Sequence, residues 1–189
     1  MRSNITLPNL ISIFRLVLVP IAIDAILDQR FAVAFWVFLV AGISDGIDGW
    51  IARRFDQRSE LGAHLDPLAD KALLVSIFVT LGMIGSLPIW LVIMVVSRDV
   101  LIVGGVMLSW VLGRGVPIRP LLVSKANTTV QIAFAAMALG SRAFGVDPGR
   151  LWVAGEIAVA ALTVLSGTAY VVEWLRAMSS DPGGPGRAS

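Results

Sequence analysis

Cysteine is absent from this 189-residue chain, and histidine occurs once, at His64. Thiol chemistry, disulfide staples and metal sites built on Cys/His clusters are thereby excluded, so any metal has to be held by oxygen. Charge is scarce as well: 15% of the residues are Asp, Glu, Lys or Arg, against roughly 25% in soluble domains. A formal net charge of +2 is too small to argue for a nucleic-acid partner. Residues 1–7 carry one arginine and no apolar run ending in small residues, so a cleaved signal peptide is not expected. No internal repeat is visible.

What fills the chain instead is apolar: 57% hydrophobic residues and a mean hydropathy of +0.84. Since a bilayer-spanning helix needs about 20 mostly apolar residues, the pattern predicts an all-α integral membrane protein with six transmembrane helices. The expected spans are 9–27, 31–51, 66–84, 88–112, 124–139 and 151–175. One membrane domain, 1–178, is followed by a Ser/Pro/Gly-rich tail, 179–189, that has nothing to bury and is expected to be disordered. An even number of spans puts both termini on one side with the connections after the second and fourth helices. That side holds Arg2, Arg53, Arg54, Arg58, Arg114, Arg119, Lys125, Arg176 and Arg187, nine of the fifteen basic residues. Arg30, Arg142 and Arg150 fall on the other side, and Arg15, Lys71 and Arg98 inside spans. Because basic loops stay cytoplasmic, the connection 52–65 is expected to face the cytosol.

That connection is flanked by acidic residues in helical register. Asp45 and Asp48 are three apart, Asp66 and Asp70 four apart, so each pair shares a helix face. If the two helices are antiparallel neighbours, four carboxylates meet in a small volume near the membrane surface and repel one another unless cations intervene. Hard oxygen donors suit Mg²⁺ or Mn²⁺, and two such ions about 3.5 to 4 Å apart are a known device for displacement at phosphorus. Gly46, Gly49, Ala52 and Gly62 leave room for a substrate against the helix backbone, and Arg53 can pair with a phosphate. Small residues at this spacing also make helix-packing faces, but packing leaves the convergent aspartates unexplained, and acidic residues at span edges are costly and usually functional.

The segment 45–70 reads DGIDGWIARRFDQRSELGAHLDPLAD. It resembles, at every fixed position, the D-x-x-D-G-x-x-A-R, eight residues, G-x-x-x-D-x-x-x-D signature of the CDP-alcohol phosphatidyltransferases. The resemblance implies a six-helix, usually homodimeric membrane enzyme that moves a phosphatidyl or similar group from a CDP-linked donor such as CDP-diacylglycerol to an alcohol and releases CMP. By position it implies Asp45, Asp48, Asp66 and Asp70 as ligands for two divalent ions. Asp45, Gly49, Ala52, Arg53 and Gly62 would lie against the CDP moiety, and Asp70 would be the general base. The implied place is the inner membrane of a cell, multi-pass, with the site on the cytosolic face.

Elsewhere the likeness is looser. Pro8 to Arg15 is similar to the P-N-x-x-[ST]-x-x-R opening of the glycerophospholipid-making branch, which marks Asn9 and Arg15 as candidates for lipid or acceptor phosphate. Ser97-Arg98-Asp99 and Ser124-Lys125-Ala126-Asn127-Thr128 resemble elements of the CMP-forming cardiolipin synthases, adding Arg98 and Lys125. Phosphatidylglycerophosphate synthases tend to carry a further lysine where this chain has Asn127. Loss of a cation disfavours the dianionic glycerol 3-phosphate, so phosphatidylglycerol is the expected acceptor and glycerol 3-phosphate the alternative. Arg114 and Arg119 are explained equally well by membrane orientation. Of another class, a divalent-cation transporter would also place carboxylates in a membrane, but the acidic residues gather at one face and form no path across it.

Overall fold

In the computed structural model the described residues are 7–55, 60–111 and 122–179, with side chains described for 13–44, 71–105, 107 and 122–176. They form six helices and, among the described residues, no strand: α1 (Leu7–Leu27), α2 (Phe31–Phe55), α3 (Glu60–Met83), α4 (Ile89–Val111), α5 (Leu122–Phe144) and α6 (Arg150–Ser179). Each expected span is recovered as a helix, but several helices outrun the hydropathy that predicted them. The greatest excess is at the 52–65 connection, where α2 continues to Phe55 and α3 begins at Glu60. Ala52, Arg53 and Arg54 on one side and Glu60, Leu61 and Ala63 on the other are good helix formers. Hydropathy locates the bilayer edge, whereas helix propensity lets the backbone continue past it into water. The tail from residue 180 onward lies outside the described residues.

Helix α1 packs on α2 and α3, α5 bridges α2 and α6, and α4 lies on α6 and α3. The faces that meet are read from burial at three- and four-residue intervals. They are Leu18, Ala22, Ala25 and Ile26 on α1, Ala34, Phe38 and Ala41 on α2, and Leu74, Ile77, Phe78 and Leu81 on α3. Leu91 and Val95 follow on α4, Phe134, Ala135, Ala138 and Leu139 on α5, and Val159 on α6. The α5–α6 seam is close because Gly155 has no side chain: a Cβ there would come within 2.5 Å of the Phe134 ring, an example of small residues letting membrane helices approach.

The turns at one end of the bundle close alike. After α3, Ser86 N–H donates to the Leu81 carbonyl at 2.8 Å and Gly85 N–H to that of Gly82 at 3.0 Å, with Gly85 at φ +72°. After α1, Arg30 N–H donates to Ala25 at 2.7 Å and Gln29 N–H to Ile26 at 3.0 Å. These are Schellman endings, in which a left-handed residue lets the chain satisfy the last helical carbonyls. Gly85 adopts that conformation without a Cβ penalty, whereas Gln29, at φ 58°, does so against it. Arg30 further ties the first turn down through Asp24 at 2.5 Å and Asp28 at 3.1 Å.

The outward faces are strongly apolar: Trp36, Ile43, Ile93, Val100, Met107, Ile157 and Leu165 are all exposed. By length and hydropathy, one described segment, Arg150–Arg176 with mean hydropathy 1.6, qualifies alone as a membrane span; Phe31–Ser44 and Lys71–Met83 are shorter apolar stretches.

Candidate active site

The buried stripes change character along the bundle. On α4 the stripe Leu91, Val95 continues to Arg98; on α5 Phe134 is preceded by Gln131 and Asn127; on α6 Val159 is followed by Thr163 and Ser166. Alternating helix direction brings these positions, with Arg15 in the first half of α1 and Lys71 on α3, to the same side of the molecule. It is the side where α2 finishes and α3 begins.

Arg98 is the hub there. It is 6% exposed, and its guanidinium donates from Nη1 to Asp99 Oδ1 at 2.6 Å, from Nη2 to Ser124 Oγ at 2.5 Å, and from Nε and Nη2 to Ser166 Oγ at 3.2 and 2.6 Å. The Tyr170 ring lies 5.9 Å from its Cζ. One planar fork thus ties α4 to α5 and α6, as a guanidinium is suited to do. Asp99 Oδ1 also accepts from Lys71 Nζ at 3.2 Å, joining α4 to α3. Beside this network Gln131 Nε2 donates to Thr163 Oγ1 at 3.4 Å, and that hydroxyl donates to Asn127 Oδ1 at 3.1 Å.

A cavity of about 550 Å³ opens next to the network. Arg15, Lys71, Asp99, Thr128 and Gln131 supply its polar lining, and Phe38, Leu39, Ala41, Ile43, Leu73, Leu74, Ile132 and Ala136 most of its apolar wall, with Gly42 between. Asp45 and Asp48 follow the α2 wall residues along the same helix, and Asp70 immediately precedes Lys71 on α3. The signature thus continues directly from the cavity wall.

The backbone places all four aspartates in helix, on α2 and α3, which are in contact. Their side chains, and those of Gly49, Ala52, Arg53, Gly62 and Asn9, lie outside the described residues. Among the described residues no cluster of three metal-ligating side chains occurs. The donor set itself suits a hard divalent cation: oxygen only, two carboxylates one turn apart on each of two contacting helices.

Of the acceptor candidates, Arg15 is 1% exposed and lines the cavity. Arg98 and Lys125 are not among its lining residues; Lys125 is exposed on the first turn of α5. Asn127, the position where phosphatidylglycerophosphate synthases tend to carry a further lysine, is fully buried against Thr163. Sequence reasoning passed over Lys71 and Asp99 as site residues. Opposite charges inside two spans were a usable signal, since an intramembrane charge needs a partner, but which charge meets which depends on helix packing.

Known proteins resemble the chain over most of its length. The family profile described as CDP-alcohol phosphatidyltransferase matches residues 5–175. The chain is 36% identical over 157 residues to a protein of Rattus norvegicus named "Cardiolipin synthase (CMP-forming)", covering 74% of this chain and 51% of that one. The human protein of the same name matches likewise, at 36% over 157 residues, with 74% and 52% covered. A Mycobacterium tuberculosis protein named "Probable phosphatidylglycerophosphate synthase" is 35% identical over 179 residues, covering 90% of this chain and 82% of that one. The chain spans about half the length of the first two relatives. With the profile running over nearly the whole bundle and the signature complete on α2 and α3, the chain belongs to the CDP-alcohol phosphatidyltransferase family and is an all-α integral membrane protein.

Proposed function

We propose that this chain transfers the phosphatidyl group of CDP-diacylglycerol to the hydroxyl of phosphatidylglycerol, releasing CMP. The observation that carries the reading is the unbroken signature on contacting helices α2 and α3, continuous with a cavity that has cations at its polar side. The acceptor hydroxyl oxygen attacks the lipid-side phosphorus, the bond from that phosphorus to the CMP oxygen breaks, and the hydroxyl proton passes to the Asp70 carboxylate. Asp45, Asp48, Asp66 and Asp70 would hold two Mg²⁺ or Mn²⁺ ions. When bound, such ions neutralise phosphate oxygens and stabilise the entering and leaving groups. Gly49, Ala52 and Gly62 give the CDP moiety room against the backbone, and Arg53 pairs with its phosphate.

The largely apolar cavity wall favours a lipid acceptor over a small, dianionic one, because desolvating a dianion there is costly. Glycerol 3-phosphate remains the second reading, favoured by the long alignment with the mycobacterial relative. The Asn127 argument does not separate the two, since that side chain is fully buried outside the cavity lining, its Oδ1 accepting from Thr163. The basic-residue distribution supports a site on the cytosolic face of the inner membrane, and the family resemblance supports a homodimer.

The test is CMP release by the purified protein with CDP-diacylglycerol and Mg²⁺ or Mn²⁺, offering phosphatidylglycerol and glycerol 3-phosphate separately. Turnover with phosphatidylglycerol alone is expected; turnover with glycerol 3-phosphate alone reassigns the acceptor. Asp70→Asn should lower turnover by at least about a hundredfold, as expected when a general base is lost. Full activity in that variant would remove Asp70 from the mechanism. Metal uptake into proteoliposomes without CMP release would favour a transporter instead.

A further inference from the structure

We propose that Lys71 binds a substrate phosphate and that Asp99 is the positioning residue that holds it there. This deepens the phosphatidyl-transfer reading and rests on it. Three observations converge. Arg98, buried at this end of the bundle, directs its Nε, Nη1 and Nη2 to Ser166, Asp99 and Ser124 and is absent from the cavity lining. Its work is internal. Lys71 differs on both counts: its side chain is 40% exposed, and it lines the cavity. It also directly follows Asp70, the last residue of the signature, about 1.5 Å further along the helix axis.

Asp99 explains how a flexible side chain is kept at such a place. A lysine stem carries considerable rotamer freedom, which is lost on binding unless something has already restricted it. Asp99, whose side chain is 13% exposed, accepts one of the three ammonium donors at 3.2 Å. Two donors are left for a ligand. A lone carboxylate would cancel the attraction of Lys71 for an anion, but Asp99 is already matched by Arg98 at 2.6 Å. The triad of Arg98, Asp99 and Lys71 therefore keeps one net positive charge, displayed on the cavity side by Lys71. Arg15, on the same wall, adds a second cation. The ligand chemistry is a phosphate ester anion, carried either by the pyrophosphate of the donor or by the headgroup of the acceptor.

The experiment measures CMP release by full-length wild type, Lys71→Met, Lys71→Arg, Asp99→Asn and the double variant Lys71→Met/Asp99→Asn. KM is determined separately for CDP-diacylglycerol and for the acceptor the wild type uses. Loss of a charge-assisted hydrogen bond corresponds to about a tenfold rise in one of these KM values for Lys71→Met. Which of the two rises identifies the phosphate that is bound. Lys71→Arg should retain most of the affinity, and Asp99→Asn should raise the same KM. In the Lys71→Met background Asp99→Asn should add little to that KM, because nothing remains to be positioned. Thermal unfolding in detergent accompanies each assay; Lys71→Met leaves Asp99 on Arg98 and should unfold near the wild-type temperature. Wild-type turnover with both KM values unchanged in Lys71→Met overturns the inference alone. An equal effect of Asp99→Asn with and without Lys71 overturns the positioning role. A wild type that releases no CMP with any acceptor overturns the transfer reading and the inference with it.

Discussion

The two ends of the helix bundle use the same periodicity for opposite purposes. At the end of the α1–α2 and α3–α4 turns, the buried stripes hold Ala25, Ile26, Leu81, Leu87 and Leu91. At the other end, one to three turns along the same stripes, they hold Arg15, Arg98, Asn127, Gln131, Thr163 and Ser166. The apolar end is held by close packing, which tolerates changes of shape when volume is kept. The polar end depends on donors meeting acceptors, as at Arg98 and Thr163, because a buried polar group left unmatched costs more than its hydrogen bond contributed. The lesson is that a buried stripe on a membrane helix identifies a protein-facing surface and says nothing of whether that surface is adhesive or chemical.

Substitutions at three positions can break or sharpen the contrast. The largest effect is expected at Arg98→Ala, which strips Ser124 and Ser166 of a donor and leaves Asp99 with Lys71 alone. Breaking a buried ion pair on one side costs about 3 to 5 kcal/mol, to be read from unfolding in detergent. Arg98→Lys should recover little of it, since an ammonium cannot reproduce the fork. If lysine restores stability, the hub is only a charge. Next comes Leu81→Ala at the apolar end, with an expected loss of about 2 to 5 kcal/mol. Here the volume-conserving Leu81→Met should cost less than about 1.5 kcal/mol. A conservative exchange thus rescues one end and not the other; equal rescue at both would erase the distinction. The smallest effect has the opposite sign. Gln29→Gly relieves a left-handed residue in the α1–α2 turn and should stabilise by about 0.5 kcal/mol, the steric relief being partly offset by a looser unfolded chain. A fall in stability would mean that the Gln29 side chain makes up for its backbone.

Much of this was legible in the amino-acid order. Hydropathy located all six helices, and α2 and α3 were misjudged only where they pass beyond the bilayer edge, since a helix does not end where its apolar residues end. The signature from Asp45 to Asp70 was legible because it is a matter of local spacing: i/i+3 and i/i+4 put carboxylates on one helix face whatever else the helix touches. Arg98 and Lys71 were another matter. Both read as charges inside spans, and the sequence offered Arg98, beside Arg15 and Lys125, as a substrate cation and passed over Lys71.

Sequence alone therefore determined the number of helices, the absence of Cys/His metal clusters and the family, each of which follows from composition or from residues within a few turns of one another. Only the tertiary structure decided that Arg98 is consumed by Ser124, Ser166 and Asp99, that Asn127 is buried on Thr163, and that Lys71 and Arg15 line the cavity. Apart from the Arg98–Asp99 pair of chain neighbours, those assignments rest on partners 26 to 68 residues apart along the chain, and no local spacing encodes which helices lie side by side.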